Sequence, residues 1–183
     1  MGNACAKKST AVEMSAAPSS GNENPLHEEE PGSGPEEVVI DVFINTDCAN
    51  WKMLQRCFAD EVTLDLTSLT GGEPEKLTPE AIADKWSALM PGFDATHHQI
   101  GNVVATKSGS TAHVFCYCTS GHYMEHPEGN ILTQFGSYDF NLILGSDGCW
   151  KVSSMTFFFK YQTGNLKLTA AAAAKVAKAE NDL

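Results

Sequence analysis

Thr111-Ala-His-Val-Phe-Cys-Tyr-Cys-Thr-Ser-Gly-His-Tyr-Met124 is the stretch that decides the fold of this 183-residue chain. Val114, Cys116, Cys118, Ser120 and His122 stand two apart, and a period of two puts them on one face of a β-strand. The row is small or apolar, which suits the inside of a tapering cone. Turn-rich words bracket it: Lys107-Ser-Gly-Ser110 before and His126-Pro-Glu-Gly-Asn130 after. Connections this short make neighbouring strands antiparallel. The pattern extends to four long strands, at about 94–106, 111–124, 131–145 and 149–162, with Gly145-Ser-Asp-Gly148 between the last two.

Upstream of these strands the period becomes helical. Val38, Val39, Val42 and Phe43 follow Pro35, and Glu36 and Glu37 suit a first turn. A second helix is expected over Asn50 to Phe58, where Trp51, Leu54 and Phe58 recur at i, i+3 and i+7. Val62 to Leu69 alternates like a strand, and Thr70-Gly-Gly-Glu-Pro74 is a loop. Thr78 caps a third helix with Pro79 at its first position, and Ile82, Trp86, Leu89 and Met90 form its buried face. Helices followed by a long curled meander predict an α+β domain. Its sheet is cone-shaped, strongly curved, mostly antiparallel, packed on three helices and folded around a pocket. The domain is read as residues 36–164. Residues 1–35 are polar and rich in Ser, Gly, Pro and Glu, which predicts a disordered acidic tail. Residues 165–183 hold Ala170 to Ala174 and read as a helical or disordered tail with little apolar area to dock, open to solvent or to a partner.

Charge and cysteine usage narrow the functional classes. Asp and Glu number 23 against 12 Lys and Arg, for a formal net charge of −11. A chain this acidic is repelled by phosphate backbones, so nucleic acid is not an expected partner. No apolar run approaches the roughly 20 residues of a membrane span. Of the six cysteines, Cys48 and Cys57 sit in a helical pattern, Cys116 and Cys118 alternate along a strand without the turn that zinc pairs use, Cys149 precedes a strand and Cys5 lies in the tail. They read as reduced thiols of a cytoplasmic protein, with no metal site and no cofactor expected.

The ordered words Asn45-Thr-Asp-Cys-Ala-Asn-Trp51, Leu54 through Phe58 to Val62-Thr-Leu-Asp65, Ala95-Thr-His-His-Gln-Ile-Gly-Asn102, Thr119-Ser-Gly-His122, Gly136-Ser-Tyr-Asp139 and Asp147-Gly-Cys-Trp-Lys151 span nearly the whole domain. Together they resemble the SnoaL-like and scytalone dehydratase branch of the nuclear-transport-factor-2-like superfamily. That resemblance implies a pocket with Asp47, His98 and His122 as catalytic residues and Thr46, Leu66, Ser137 and Asp139 against the substrate. Thr46 and Leu66 fall where scytalone dehydratase has tyrosines that orient the substrate carbonyl through water. Asp139 falls where it has an asparagine. The chemistry implied is a lyase, isomerase or cyclase reaction beside the carbonyl of a small hydrophobic or aromatic substrate. Strand parity tests this separately: His122 shares a face with Val114 to Ser120, and His98 with Thr96, Ile100, Asn102 and Val104.

Other readings stand beside these. His98 alone would suit a core histidine bonded to a backbone carbonyl. Asp139 is either a buried neutral donor or an outward, solvated carboxylate. Cones of this kind also serve as non-catalytic ligand-binding or dimerisation modules. Met155, Phe157, Phe159 and Tyr161 form a period-two stripe, which either packs on the domain's own helices or makes a homodimer interface through the outer sheet face. At the start, Met1-Gly-Asn-Ala-Cys-Ala-Lys-Lys8 resembles an N-myristoylation word with a palmitoylation cysteine beside it. Ala6 replaces the usual Ser or Thr. Acylation of Gly2 and Cys5 would tether the domain to a membrane.

Overall fold

A computed structural model describes residues 34–181; Gly2, Cys5 and nearly all of the expected acidic tail lie outside these residues. The order is α1 (Pro35–Asp47), α2 (Trp51–Arg56), β1 (Phe58–Asp65), α3 (Thr67–Thr70), β2 (Glu75–Leu77), α4 (Pro79–Ser87), a 3-10 turn (Met90–Gly92), β3 (Ala95–Ser108), β4 (Thr111–Tyr123), β5 (Ile131–Leu144), β6 (Trp150–Gly164) and α5 (Leu168–Asn181). The six strands form one open sheet in the order β2-β1-β6-β5-β4-β3. Four of the pairings are antiparallel and β1 with β6 is parallel. The architecture is α+β with a curved, mixed sheet. Among the described residues it has five helices, where the sequence predicted three packed on the sheet and a helical or disordered C-terminal tail.

Local chemistry accounts for the element ends. Gly34 precedes α1 and its N–H donates to the Glu37 carboxylate three residues on. The Asn50 side chain caps α2, and the Thr78 hydroxyl caps α4 ahead of Pro79. Helix α2 ends before Phe58, which is the first residue of β1, so the expected i+7 position belongs to the sheet. Asp65 accepts from the Thr67 N–H and hydroxyl at 3.0 and 2.6 Å and turns the chain into α3.

The core lies between the sheet and helices α1, α2 and α4, with Val38, Val42, Leu54, Val62, Ile82, Val114 and Phe140 fully buried. The inward row of β4 is the one read from sequence: Val114, Cys116, Cys118, Ser120 and His122 are all buried. Register breaks shift parity elsewhere. Asn102 adopts φ 52° at a register break between Gly101 and Val104. Val104 therefore turns outward, 59% exposed, and leaves the face it was expected to share with His98. Strand β6 has two breaks: one pairs Leu142 with Val152 but Asn141 with Ser154, and the other pairs Phe135 with Tyr161 but Gly136 with Phe159. Met155 and Phe157 consequently face the core, Phe159 packs partly against it, and Tyr161 is outside. The expected four-residue outer stripe does not exist as such, and two of its members are core.

Helix α5 also departs from expectation, because it docks. Leu168 and Ala172 are fully buried against Phe93 and Leu132. Lys175 pairs with Asp94 at 2.7 Å. A Cβ on Gly92 would lie 2.1 Å from the Ala172 carbonyl oxygen, so only glycine lets the helix backbone come this close.

Candidate functional site

Helix α1 packs along β3, the free edge of the sheet, and its last residue is Asp47. A carboxylate at a helix C-terminus faces the negative end of the dipole, so it needs donors from elsewhere. Strand β3 supplies them. Asp47 Oδ2 accepts from the His98 backbone N–H at 2.7 Å, and Oδ1 accepts from the Thr96 hydroxyl at 2.8 Å. Oδ1 also lies 2.7 Å from His98 Nδ1. The edge strand thus uses its unpaired N–H to fix the acid that in turn fixes the imidazole. Burial pushes the Asp47 carboxyl up, but the hydrogen bonds and charge of His98, with the Thr96 hydroxyl, outweigh it and hold the group below its ordinary value. An ionised Asp47 keeps the proton on His98 Nδ1 and leaves Nε2 as the basic nitrogen.

His122 reaches the same place from β4. Its ring meets the His98 ring edge-on, with centroids 5.8 Å apart, and lies 4.7 Å from Phe93. Burial, helped by the neighbouring His98, pushes its pKa down to about 4, so the ring is neutral near pH 7. Its Nδ1 is buried with no hydrogen-bond partner among the described residues.

Both rings line a cavity of about 250 Å³. Phe43, Trp86, Phe93, Met155 and Phe157 give it apolar walls, and Thr46, Ser120 and Gln134 add polar groups near the histidines. Leu89, Met90 and Thr169 of α5 also contribute. No cluster of three His, Cys, Asp or Glu capable of holding a metal occurs among the described residues.

The structure brings Asp47, His98, His122, Thr46 and Leu66 together around this cavity. Thr46 has its hydroxyl proton committed to the Val42 carbonyl at 2.7 Å. Ser137 and Asp139 are corrected: they lie on the other face of β5. Opposite the inward residues Cys116, Cys118 and Ser120 stand Tyr138, Gly136 and Gln134, so a period of two sends Ser137 and Asp139 outward. Ser137 is buried there between Tyr117 and Phe158, its cross-strand neighbours. Asp139 pairs with His113 Nε2 at 2.9 Å, half-exposed. The cavity residue that sequence reading missed is Tyr138. Its signal was its alternation with Phe140, a position more certainly inward than Asp139.

A family model described as a SnoaL-like domain matches residues 37–156. No curated protein matches the chain. Among solved structures, the Kfla4162 protein from Kribbella flavida superposes with a TM-score of 0.68 at 22% identity, covering 74% of this chain and 94% of that one. A protein from Novosphingobium aromaticivorans that is provisionally named a scytalone dehydratase gives 0.61 at 17% identity, over 71% and 84%. A hexachlorocyclohexane dehydrochlorinase, LinA type 2, gives 0.59 at 16%, over 70% and 84%. At these identities the likeness shows the fold.

Proposed function

The chain belongs to the SnoaL-like domain family, and from that premise we propose that it is a small-molecule lyase, isomerase or cyclase working by general acid-base chemistry beside a carbonyl. The observation that carries this reading is the Asp47–His98 pair facing a partly apolar cavity with His122 across it. His98 Nε2 takes a proton from the carbon next to the carbonyl, and the electron pair moves onto the carbonyl oxygen as an enolate. Asp47 stabilises the imidazolium that forms. With a hydroxyl on the next carbon, the enolate collapses, the C–O bond breaks, and the imidazolium returns its proton to the departing oxygen as water. Without a leaving group, the proton returns to a different carbon of the delocalised enolate, giving isomerisation, or the enolate carbon attacks a second carbonyl of the substrate and the imidazolium protonates the new alkoxide, giving ring closure.

The neutral state of His122 gives it a particular place in this scheme. It holds no stored proton, so its part is one hydrogen bond to the departing oxygen. Each positioned acid or base contributes roughly 10²–10⁴-fold. The substrate that suits the walls is small, uncharged and hydrophobic or aromatic, because the one lysine at the cavity, Lys85, is already paired with Glu75. The test is a panel of aryl β-hydroxy ketones, followed by the ultraviolet absorbance of the conjugated enone. Turnover that disappears in His98→Ala supports the assignment, and a panel-wide absence of turnover favours the alternative, a non-catalytic binder of hydrophobic ligands.

Two proposals concern partners. The outer sheet face exposes Val104, Tyr117, Phe158 and Tyr161, which favours a second copy of the chain as its occupant. The Gly2–Cys5 word supports acylation and membrane tethering of a cytoplasmic domain, an idea resting on sequence alone. No described helix is long and apolar enough to cross a membrane.

A further inference from the structure

We propose that the Tyr138 hydroxyl is the donor that holds the substrate's carbonyl oxygen in this cavity. The proposal builds on the carbonyl chemistry assigned above. Tyr138 lines the cavity yet is only 8% exposed. Its ring is clamped by Phe43, Phe157 and Phe140 at 5.2, 4.6 and 5.6 Å. Three aromatic contacts fix where the hydroxyl points. Among the described residues, none hydrogen-bonds to it. A clamped phenol at the cavity wall with no protein partner keeps its O–H for a bound acceptor. Burial pushes its pKa well above the ordinary value, so it stays a neutral donor across the working range.

Its placement suits the role. Phe43 touches the Tyr138 ring on one side and the His98 ring, at 5.6 Å, on the other. The Tyr138 ring and the base therefore both pack on Phe43 and line the same cavity. A ketone bridging them would set its carbonyl on Tyr138 and its neighbouring carbon toward His98 Nε2. Several of the other hydroxyls and amides nearby are engaged. Thr46 donates to Val42, the Gln134 amide donates to Gln162, and Ser120 lies 3.5 Å from the Cys118 sulfur. Leu66, at the second position where the resemblance places a tyrosine, has no hydroxyl. Tyr138 takes over from another strand the task those positions have lost.

The experiment uses acetophenone labelled with carbon-13 at the carbonyl, titrated into the full chain and read by nuclear magnetic resonance. Wild type should bind it saturably with the carbonyl resonance shifted downfield, as hydrogen-bond donation requires. Tyr138→Phe keeps the ring, so the melting temperature should hold while the downfield shift is lost and affinity falls about three- to ten-fold. An unchanged downfield shift in Tyr138→Phe overturns this assignment and leaves the carbonyl-pocket reading intact. Wild type alone can also overturn it: a bound resonance where acetophenone resonates in an apolar solvent means that no donor reaches the oxygen. Absence of saturable binding to wild type overturns the pocket reading and this assignment together.

Discussion

At the scale of single residues, the site depends on a carboxylate that is expensive to keep charged where it stands. Asp47 ends a helix and is largely buried, and three hydrogen bonds from β3 keep it ionised. Asp47→Asn should preserve the packing, lose the imidazolium partner, and lower turnover by roughly 10²-fold or more when kinetics are compared with wild type. His98→Ala should abolish it while costing no more than a few kcal/mol of stability in a denaturant titration. His122 offers a separate test by pH. Its folded pKa is near 4 against about 6.5 in an unfolded chain, so the unfolded state binds more protons between those values. Stability should rise with pH across that window, and be lost on acidification from about 6.5 to 4, by on the order of 3 kcal/mol. Asp47, whose folded pKa is lowered, contributes stability that disappears only below the ordinary carboxylate range. His122→Gln should therefore flatten the upper part of the pH–stability curve alone; thermal melts from pH 4 to 7 that superpose in shape with wild type would count against the buried neutral ring. His122 was legible in the sequence because one row of β4, Val114 to His122, is made of small or apolar groups, while Asp47 and His98 were placed by the resemblance. Ser137 and Asp139 were misplaced because β5 carries apolar residues on both faces, so alternation says which residues share a face but not which face is inside.

At the scale of elements, the four long strands were readable to within a residue or two because short polar turns separate them, whereas the strand expected over Val62 to Leu69 runs Phe58–Asp65 and β2 was not read. What alternation could not supply was the bulges, among them one in β3 and one near the end of β6. At each, one extra residue reverses parity, moving Val104 and Tyr161 outside. The parallel pairing of β1 with β6 was hidden for a related reason: it joins residues about ninety apart with no turn to announce it. Helix α5 was underrated because its docking needs only Leu168 and Ala172, and small residues make a weak hydrophobic pattern. The contact is nevertheless close, since Gly92 meets the helix backbone directly. Gly92→Ala should push α5 off the 3-10 turn, cost about 1–3 kcal/mol, and open the cavity beside Thr169. Amide exchange over 168–181 should accelerate in that variant; protection equal to wild type would mean that the helix is not held by this approach.

At the scale of the whole molecule, cone, cavity and outer face are separable parts. The cavity faces the helices, while Tyr117, Phe158 and Tyr161 present aromatic surface on the opposite side of the sheet, with Tyr161 stacked on Phe135 at 4.5 Å. If that face pairs with a second copy, wild type should sediment as a dimer and Tyr161→Glu as a monomer, with the site chemistry unaffected. Sedimentation of both as monomers would remove the outer face from the account. The amino-terminal word is tested by intact mass after expression in a eukaryotic host, where Gly2→Ala should lose an acyl group that wild type carries. The central claim, that this chain abstracts a proton beside a carbonyl, is tested most directly without knowing the natural substrate. Uncharged aryl ketones incubated with the protein in deuterium oxide should gain deuterium at the carbon next to the carbonyl, seen by mass spectrometry, and His98→Ala should return the rate to background. Exchange by wild type no faster than by His98→Ala, across ketones that demonstrably bind the cavity, would contradict it.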